Sequence, residues 1–164
     1  MGKIAVLAVL LLLLTGMVRA ERPGVLHWQL NRDIETVYGY VYRSLEENRF
    51  FVIFEPNIGK NLAGFSGRWG EDYNRSKLTG IRSMVFCNPW YVNQVSNLDP
   101  EMLALCPLHI TLYEKDDSTH VVFVRPSHVG EDSAAKSVLA EVEGAVSAAV
   151  EAGLKAAKFA TTKK

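Results

Sequence analysis

Both cysteines of the chain stand beside prolines, in the runs Met84–Trp90 (MVFCNPW) and Leu105–Tyr113 (LCPLHITLY). Proline disfavours helical angles in the residue before it and fits the first position of a helix. The first run therefore predicts a strand, a sharp turn at Cys87-Asn88-Pro89 and a helix start within a few residues. In the second run, Cys106-Pro107 is predicted to begin a strand over residues 108–114. These two corners organise the second half of the fold.

Length and composition predict one globular domain. The chain has 164 residues, of which 48% are hydrophobic and 22% are charged, and such values are typical of a folded domain with an apolar core. The 18 basic and 18 acidic residues cancel. Because nucleic acid is bound through an excess of positive charge, it is not predicted as a partner.

The N-terminus has the pattern of a cleavable bacterial signal peptide over residues 1–20. Lys3 is followed by an apolar run from Ile4 to Met17, and Val18-Arg19-Ala20 places small residues where signal peptidase cleaves. The run is short for a membrane-spanning helix of about 20 residues. Cleavage would leave 144 residues, with 16 basic and 18 acidic side chains and a net charge of −2. The sequence thus predicts a periplasmic or secreted protein with no membrane span after cleavage.

Export determines what is expected of the two cysteines. In an oxidising compartment, a pair of cysteines is more often a disulfide than two free thiols. Closing the loop between Cys87 and Cys106 is predicted to stabilise the fold by about 3 kcal/mol. Two buried thiols, a redox pair and a metal site are the alternatives.

The first half of the mature chain alternates between strands and a helix. An edge strand is predicted over Val25–Leu30, and an amphipathic helix from the cap Asp33 to Asn48. The apolar run Phe50–Phe54 predicts a buried strand. The glycine-rich residues 59–79 predict a flexible loop rather than a phosphate site, because no helix start follows the glycines.

The second half contains a predicted hairpin and a long helix. If Glu114 pairs with Thr119, the side chains of His109, Thr111, Tyr113 and His120 share one semi-polar face of the sheet, and the more apolar opposite face meets the helices. From residue 131 onward, valines and one leucine at spacings of four predict a long helix packed on the sheet. A single domain is predicted over residues 21–160, with a frayed tail at 161–164.

Three segments resemble a bacterial and archaeal family, domain of unknown function 302. They are the run Leu45–Glu55, the corner Phe86–Pro89 and the strand Leu105–Glu114, within a match over about residues 25–154. The later strand of the family begins with Leu-Pro-Cys-Asn, whereas this chain has Cys106-Pro107. The resemblance implies an α+β fold of the β-α-β₄-α type, with helices on one face of an antiparallel sheet, like that of the TATA-binding-protein-like group. It implies no activity, and fold similarity to a DNA-binding group does not transfer function.

Sequence motifs identify no catalytic residue. The chain has no Gly-x-Ser-x-Gly elbow, no His-Glu-x-x-His helix and no Cys-x-x-Cys. Cys87, Cys106 and His109 are weak candidates for a soft metal site, because thiolate and imidazole bind copper(I) or zinc. Non-covalent haem would use ligands from a scattered set: His27, His109, His120, His128, Met84 and Met102.

Two function hypotheses follow from these residues. The first is a small exported, non-catalytic binding or accessory domain. It would use the face with His109, Thr111, Tyr113 and His120 to bind an apolar or aromatic ligand, or a second copy of the chain. The second is a redox, metal or haem accessory protein built on Cys87 and Cys106, with His109 nearby.

Overall fold

A computed structural model of the protein describes residues 22–161. The predicted signal peptide and the last three residues of the predicted tail lie outside this range. The strands are β1 (Val25–Leu30), β2 (Phe51–Phe54), β3 (Gly80–Cys87), β4 (Leu108–Lys115) and β5 (Ser118–Val124). The helices are α1 (Ile34–Glu47), α2 (Ile58–Ala63), α3 (Ser66–Trp69), α4 (Pro89–Leu98), α5 (Pro126–Val129) and α6 (Lys136–Phe159). Two 3₁₀ helices cover Gly70–Asp72 and Pro100–Leu105.

The five strands form one antiparallel sheet in the order β1-β5-β4-β3-β2. One helix follows β1 and a long helix ends the fold, so the predicted β-α-β₄-α architecture is confirmed. β1 is at one edge of the sheet, as its alternating pattern predicts. Between residues 22 and 161, no helix is both long and apolar enough to cross a membrane.

The core lies between the sheet and the two long helices. Asp33 caps α1 by accepting a hydrogen bond from the backbone N–H of Thr36, as predicted. The predicted stripe of α6 is buried, and all of it except Val138 joins one cluster with side chains of α1 and of the strands. The cluster contains Val142, Val146, Val150 and Leu154 from α6, Val37 and Val41 from α1, and Leu26, Ile110 and Phe123 from the sheet. Burying this apolar area supplies the main driving force for the fold.

The predicted loop over residues 59–79 is wrong in part. This segment contains α2, α3 and a 3₁₀ turn. Asn57 caps α2 by accepting a hydrogen bond from the Lys60 backbone N–H. These elements are too short for a helical apolar period to show in the sequence. They form a wall of a cleft of about 600 Å³ beside β3, where Arg82 is bound by Glu35 and stacks over the ring of Tyr38.

β2 differs from the predicted buried strand. It is the other edge of the sheet, and Phe51, Ile53 and Phe54 are 45%, 63% and 62% exposed. Pairing with β3 is interrupted between Val52 and Phe54, so one additional residue enters β2. Phe50, just before the strand, is the buried aromatic side chain of this run. The hydrophobic run predicted a strand correctly. Because this strand is at an edge of the sheet, however, several of its side chains are exposed to solvent.

Candidate functional site

One side of the sheet faces away from α1 and α6 and remains open. We call this surface the open face. Strand alternation and register assign these side chains to it: Val25, His27 and Gln29 from β1; His120, Val122 and Val124 from β5; His109, Thr111 and Tyr113 from β4; Ile81, Ser83 and Val85 from β3; Phe51 and Phe54 from β2. The predicted pairs Glu114–Thr119, Tyr113–His120 and Thr111–Val122 are all present. The structure thus places His109, Thr111, Tyr113 and His120 on one side of the sheet.

The turn between β4 and β5 explains this register. Asp116 and Asp117 both have positive φ, 49° and 57°, in a two-residue connection between Lys115 and Ser118. Positive φ at both central positions is the geometry of a type I′ turn, whose twist matches that of the strands. The turn therefore aligns Tyr113 opposite His120.

Three rings stack at the centre of the β1 half of the open face. The Tyr113 and His120 ring centroids are 4.6 Å apart with an interplanar angle of 7°, and those of His27 and His120 are 5.1 Å apart at 20°. His27 Nε2 and His120 Nδ1 form a hydrogen bond of 2.9 Å. This bond requires one nitrogen to donate and the other to accept, so at least one imidazole is neutral. We call these three residues the ring cluster.

The environment of the ring cluster favours neutral histidines. Burial lowers the pKa of His27, and the positive charge of Arg22 lowers it further. Burial also lowers the pKa of His120, with smaller contributions from His27 and Lys115 in the same direction. The cluster is therefore a largely uncharged aromatic surface at neutral pH.

His109 and Thr111 have different surroundings from the ring cluster. His109 is exposed and lies opposite Val85 of β3. Thr111 donates a hydrogen bond of 3.3 Å to the buried hydroxyl of Ser83, which itself donates to the Ile110 carbonyl oxygen. The Thr111 hydroxyl proton is thus used within the sheet, although its oxygen can still accept a hydrogen bond.

An apolar margin borders these polar groups. Phe54 lies opposite Val85 and Phe51 opposite Cys87, so both aromatic side chains are on the open face. Val124 is 40% exposed at the β5 end of the same surface. Sequence reasoning missed the contribution of His27, Phe51 and Phe54 to this face. The alternation of β1 indicates that His27 faces away from the core. Which strand lies next to His27, however, depends on the order of strands in the sheet.

The Cys-Asn-Pro corner joins β3 to α4 as predicted. The Asn88 side chain accepts hydrogen bonds from the backbone N–H groups of Trp90 and Tyr91, and Pro89 is the first residue of the helix. These contacts satisfy donors that a helix start leaves unpaired. Asn88 is therefore a capping residue of α4. The second corner has a cis peptide bond between Cys106 and Pro107.

The corners bring the two cysteines together without joining them. Cys87 Sγ and Cys106 Sγ are 3.8 Å apart, and both residues are free cysteines. A disulfide requires about 2.05 Å between the sulfur atoms, so the predicted disulfide is not present in the structure. Burial, and then the neighbouring Cys106, raise the pKa of Cys87 to about 11. Cys87 is accordingly a thiol at neutral pH.

The predicted metal trio is not assembled. Within residues 22–161, no three histidine, cysteine or acidic side chains are grouped as a metal site requires. Cys87 and Cys106 line a cavity under α4, and His109 is not among the residues that line it. Of the haem-ligand candidates, His27 and His120 are bonded to each other and Met84 is fully buried. These three side chains are therefore engaged or buried within the protein.

Comparison with known proteins identifies the fold but no activity. The profile of a family described as "Domain of unknown function DUF302" matches residues 26–153. The chain is similar to a solved structure described as an uncharacterized conserved protein DUF302 from Bacillus stearothermophilus. That match has a TM-score of 0.64 and 18% sequence identity, and covers 77% of this chain and 96% of the other. No curated protein matches the chain significantly.

Proposed function

Since this chain belongs to the DUF302 family, for which no activity is described, we propose a function from its own surface. The protein is an exported, non-catalytic binding domain. Its open face holds an apolar or aromatic ligand, or a second copy of the chain. The observation that carries this proposal is the ring cluster, which lies on the same face of the sheet as the exposed Phe51, Phe54 and Val124.

The ring cluster is preorganised for contact. The rings of His27, Tyr113 and His120 stack on one another and are only half-buried. Aromatic surfaces contribute large contact area at a low cost in conformational entropy, and stacked rings lose little further freedom on binding. A flat aromatic or apolar partner surface matches this arrangement.

The size of the open face also fits a binding role. The five strands have four to eight residues each, and with strands spaced by about 4.8 Å and about 3.3 Å per residue they give a surface of about 500 Å² in projection. A standard protein–protein interface buries about 800 Å² of accessible area per partner. Exposed Phe51, Phe54 and Val124 add apolar contacts of the kind found in the centre of interfaces.

The test replaces Tyr113 and His120 with serine together. We expect the variant to lose self-association in sedimentation equilibrium, or to bind a hydrophobic fluorescent dye at least about tenfold more weakly, because the stacked surface is removed. Phe159→Ser is the matched control, since Phe159 is an exposed aromatic residue at the end of α6. Circular dichroism verifies that both variants fold.

Two results would contradict the proposal. One is a double variant that equals the unmodified protein in both self-association and dye binding. The other is an unmodified protein that is monomeric at high concentration and binds no dye. If Phe159→Ser causes the same loss, the binding surface lies elsewhere.

A second candidate function is an accessory domain built on Cys87 and Cys106. The supporting observation is the 3.8 Å separation of the two sulfur atoms at the meeting point of two corners. Fast thiol exchange requires a thiolate, and the raised pKa of Cys87 disfavours it. Rapid disulfide exchange at neutral pH is therefore disfavoured at this site.

A further inference from the structure

A small cavity lies beside the two thiols. Its volume is about 40 Å³, and its lining is almost entirely carbon and sulfur: Phe50, Tyr91, Val95, Cys87, Cys106 and Met102. A space of this size admits one ion or a very few water molecules. Three of the lining residues contain sulfur, and the Asn88 side chain, which also lines the cavity, is used as the cap of α4.

We propose that Cys87 and Cys106 bind one copper(I) ion in this cavity, with the thioether of Met102 as the third ligand. The inference rests on the second candidate function and names its ligand. Thiolate and thioether sulfur select copper(I), whereas carboxylate suits harder ions. His109 is not part of this site, because it does not line the cavity.

The separation of the sulfur atoms fits a shared ion. Two metal–sulfur bonds of about 2.3 Å, the length known for zinc thiolates, place the sulfur atoms about 3.8 to 4.0 Å apart when the angle between the bonds is about 110 to 120°. The observed Sγ–Sγ distance is 3.8 Å. An ion can therefore enter between the sulfur atoms without moving β3 relative to the segment before β4.

Binding exchanges protons for the metal without oxidation or reduction. Both S–H bonds break, two sulfur–copper bonds form, two protons leave to solvent, and copper remains in the +1 state. Because two protons are released, the apparent affinity is expected to increase with pH. The apolar walls limit competition from water for the ion.

The experiment titrates copper(I) into the reduced mature protein without oxygen, against a coloured copper(I) chelator, at several pH values. We expect one ion per chain and an affinity that rises with pH. Cys87→Ser and Cys106→Ser should each abolish tight binding. Met102→Leu keeps the apolar volume and should weaken binding by about tenfold. His109→Ala is the control and should bind like the unmodified protein.

Several results would overturn the site. They are a failure of the unmodified protein to compete with the chelator, tight binding by either serine variant, unchanged affinity of Met102→Leu, or a loss in His109→Ala. Circular dichroism of each variant distinguishes a loss of binding from a loss of folding. Met102→Leu and His109→Ala also leave both thiols in place.

Thiol titration of the same sample distinguishes this inference from the function on which it rests. Two titratable thiols without copper binding would contradict the copper site and leave the thiol-pair function standing. A Cys87–Cys106 bond that resists reduction would contradict both. Neither result affects binding through the open face.

Discussion

At the scale of single residues, the ring cluster gives the protein a specific response to acid. His27 and His120 share a hydrogen bond, and burial lowers the pKa of both below the ordinary value of 6.5. The unfolded chain therefore binds more protons than the folded chain as pH falls below about 6.5. By linkage, the free energy of unfolding is greatest above that pH and decreases as pH falls through the folded pKa values.

We expect the melting temperature to fall between pH 7 and pH 5, and the double variant His27→Gln, His120→Gln to lose much of this decrease. Scanning calorimetry of both proteins over that range measures the effect. His128→Gln is the control, because His128 lies outside the ring cluster. Identical pH profiles for the double variant and the unmodified protein would show that the two imidazoles do not titrate with folding.

At the scale of helices and strands, one glycine sets the distance between the two long helices. A Cβ atom added to Gly153 in α6 would be 2.8 Å from Val41 Cα and 3.0 Å from the Tyr40 carbonyl oxygen in α1. From the sequence, this glycine only weakens the helix. The structure shows that it permits α6 to contact the backbone of α1.

We expect Gly153→Ala to lower the free energy of unfolding by about 1 to 3 kcal/mol, because overpacking outweighs the gain in helix propensity. Gly144 is the matched control in the same helix, with nothing within 4 Å of an added Cβ. Gly144→Ala should raise the free energy of unfolding by up to about 1 kcal/mol. Urea denaturation of both variants measures these changes. Stabilisation by both alanines would rule out a close contact at Gly153.

At the scale of the whole molecule, export is a proposal that rests on residues 1–20. If signal peptidase cleaves after Ala20, the chain recovered from the periplasm or the medium is expected to begin at Glu21 and to have 144 residues. Intact-mass measurement after fractionation tests this. A chain found at its full 164 residues in the cytoplasm would contradict both export and the oxidising environment assumed for the cysteines.

The sequence by itself determined the strands, the two long helices, the start of α4 and the topology of the hairpin. Asp33, Asn88-Pro89 and the Lys115–Ser118 turn act on their immediate neighbours, so they could be identified with helix and turn rules. The same local rules placed Tyr113 opposite His120. The buried stripe of α6 followed from spacing alone.

Only the tertiary structure decided which surfaces are covered and which side chains meet. Phe51 and Phe54 have the composition of a core strand, yet they are exposed because β2 is an edge. His27 joins His120 because β1 pairs with β5, which is far away in the chain. The two cysteines contact each other, whereas His109 does not line the cavity beside them. Pairing of distant strands depends on packing of the whole core, and no local pattern contains that information.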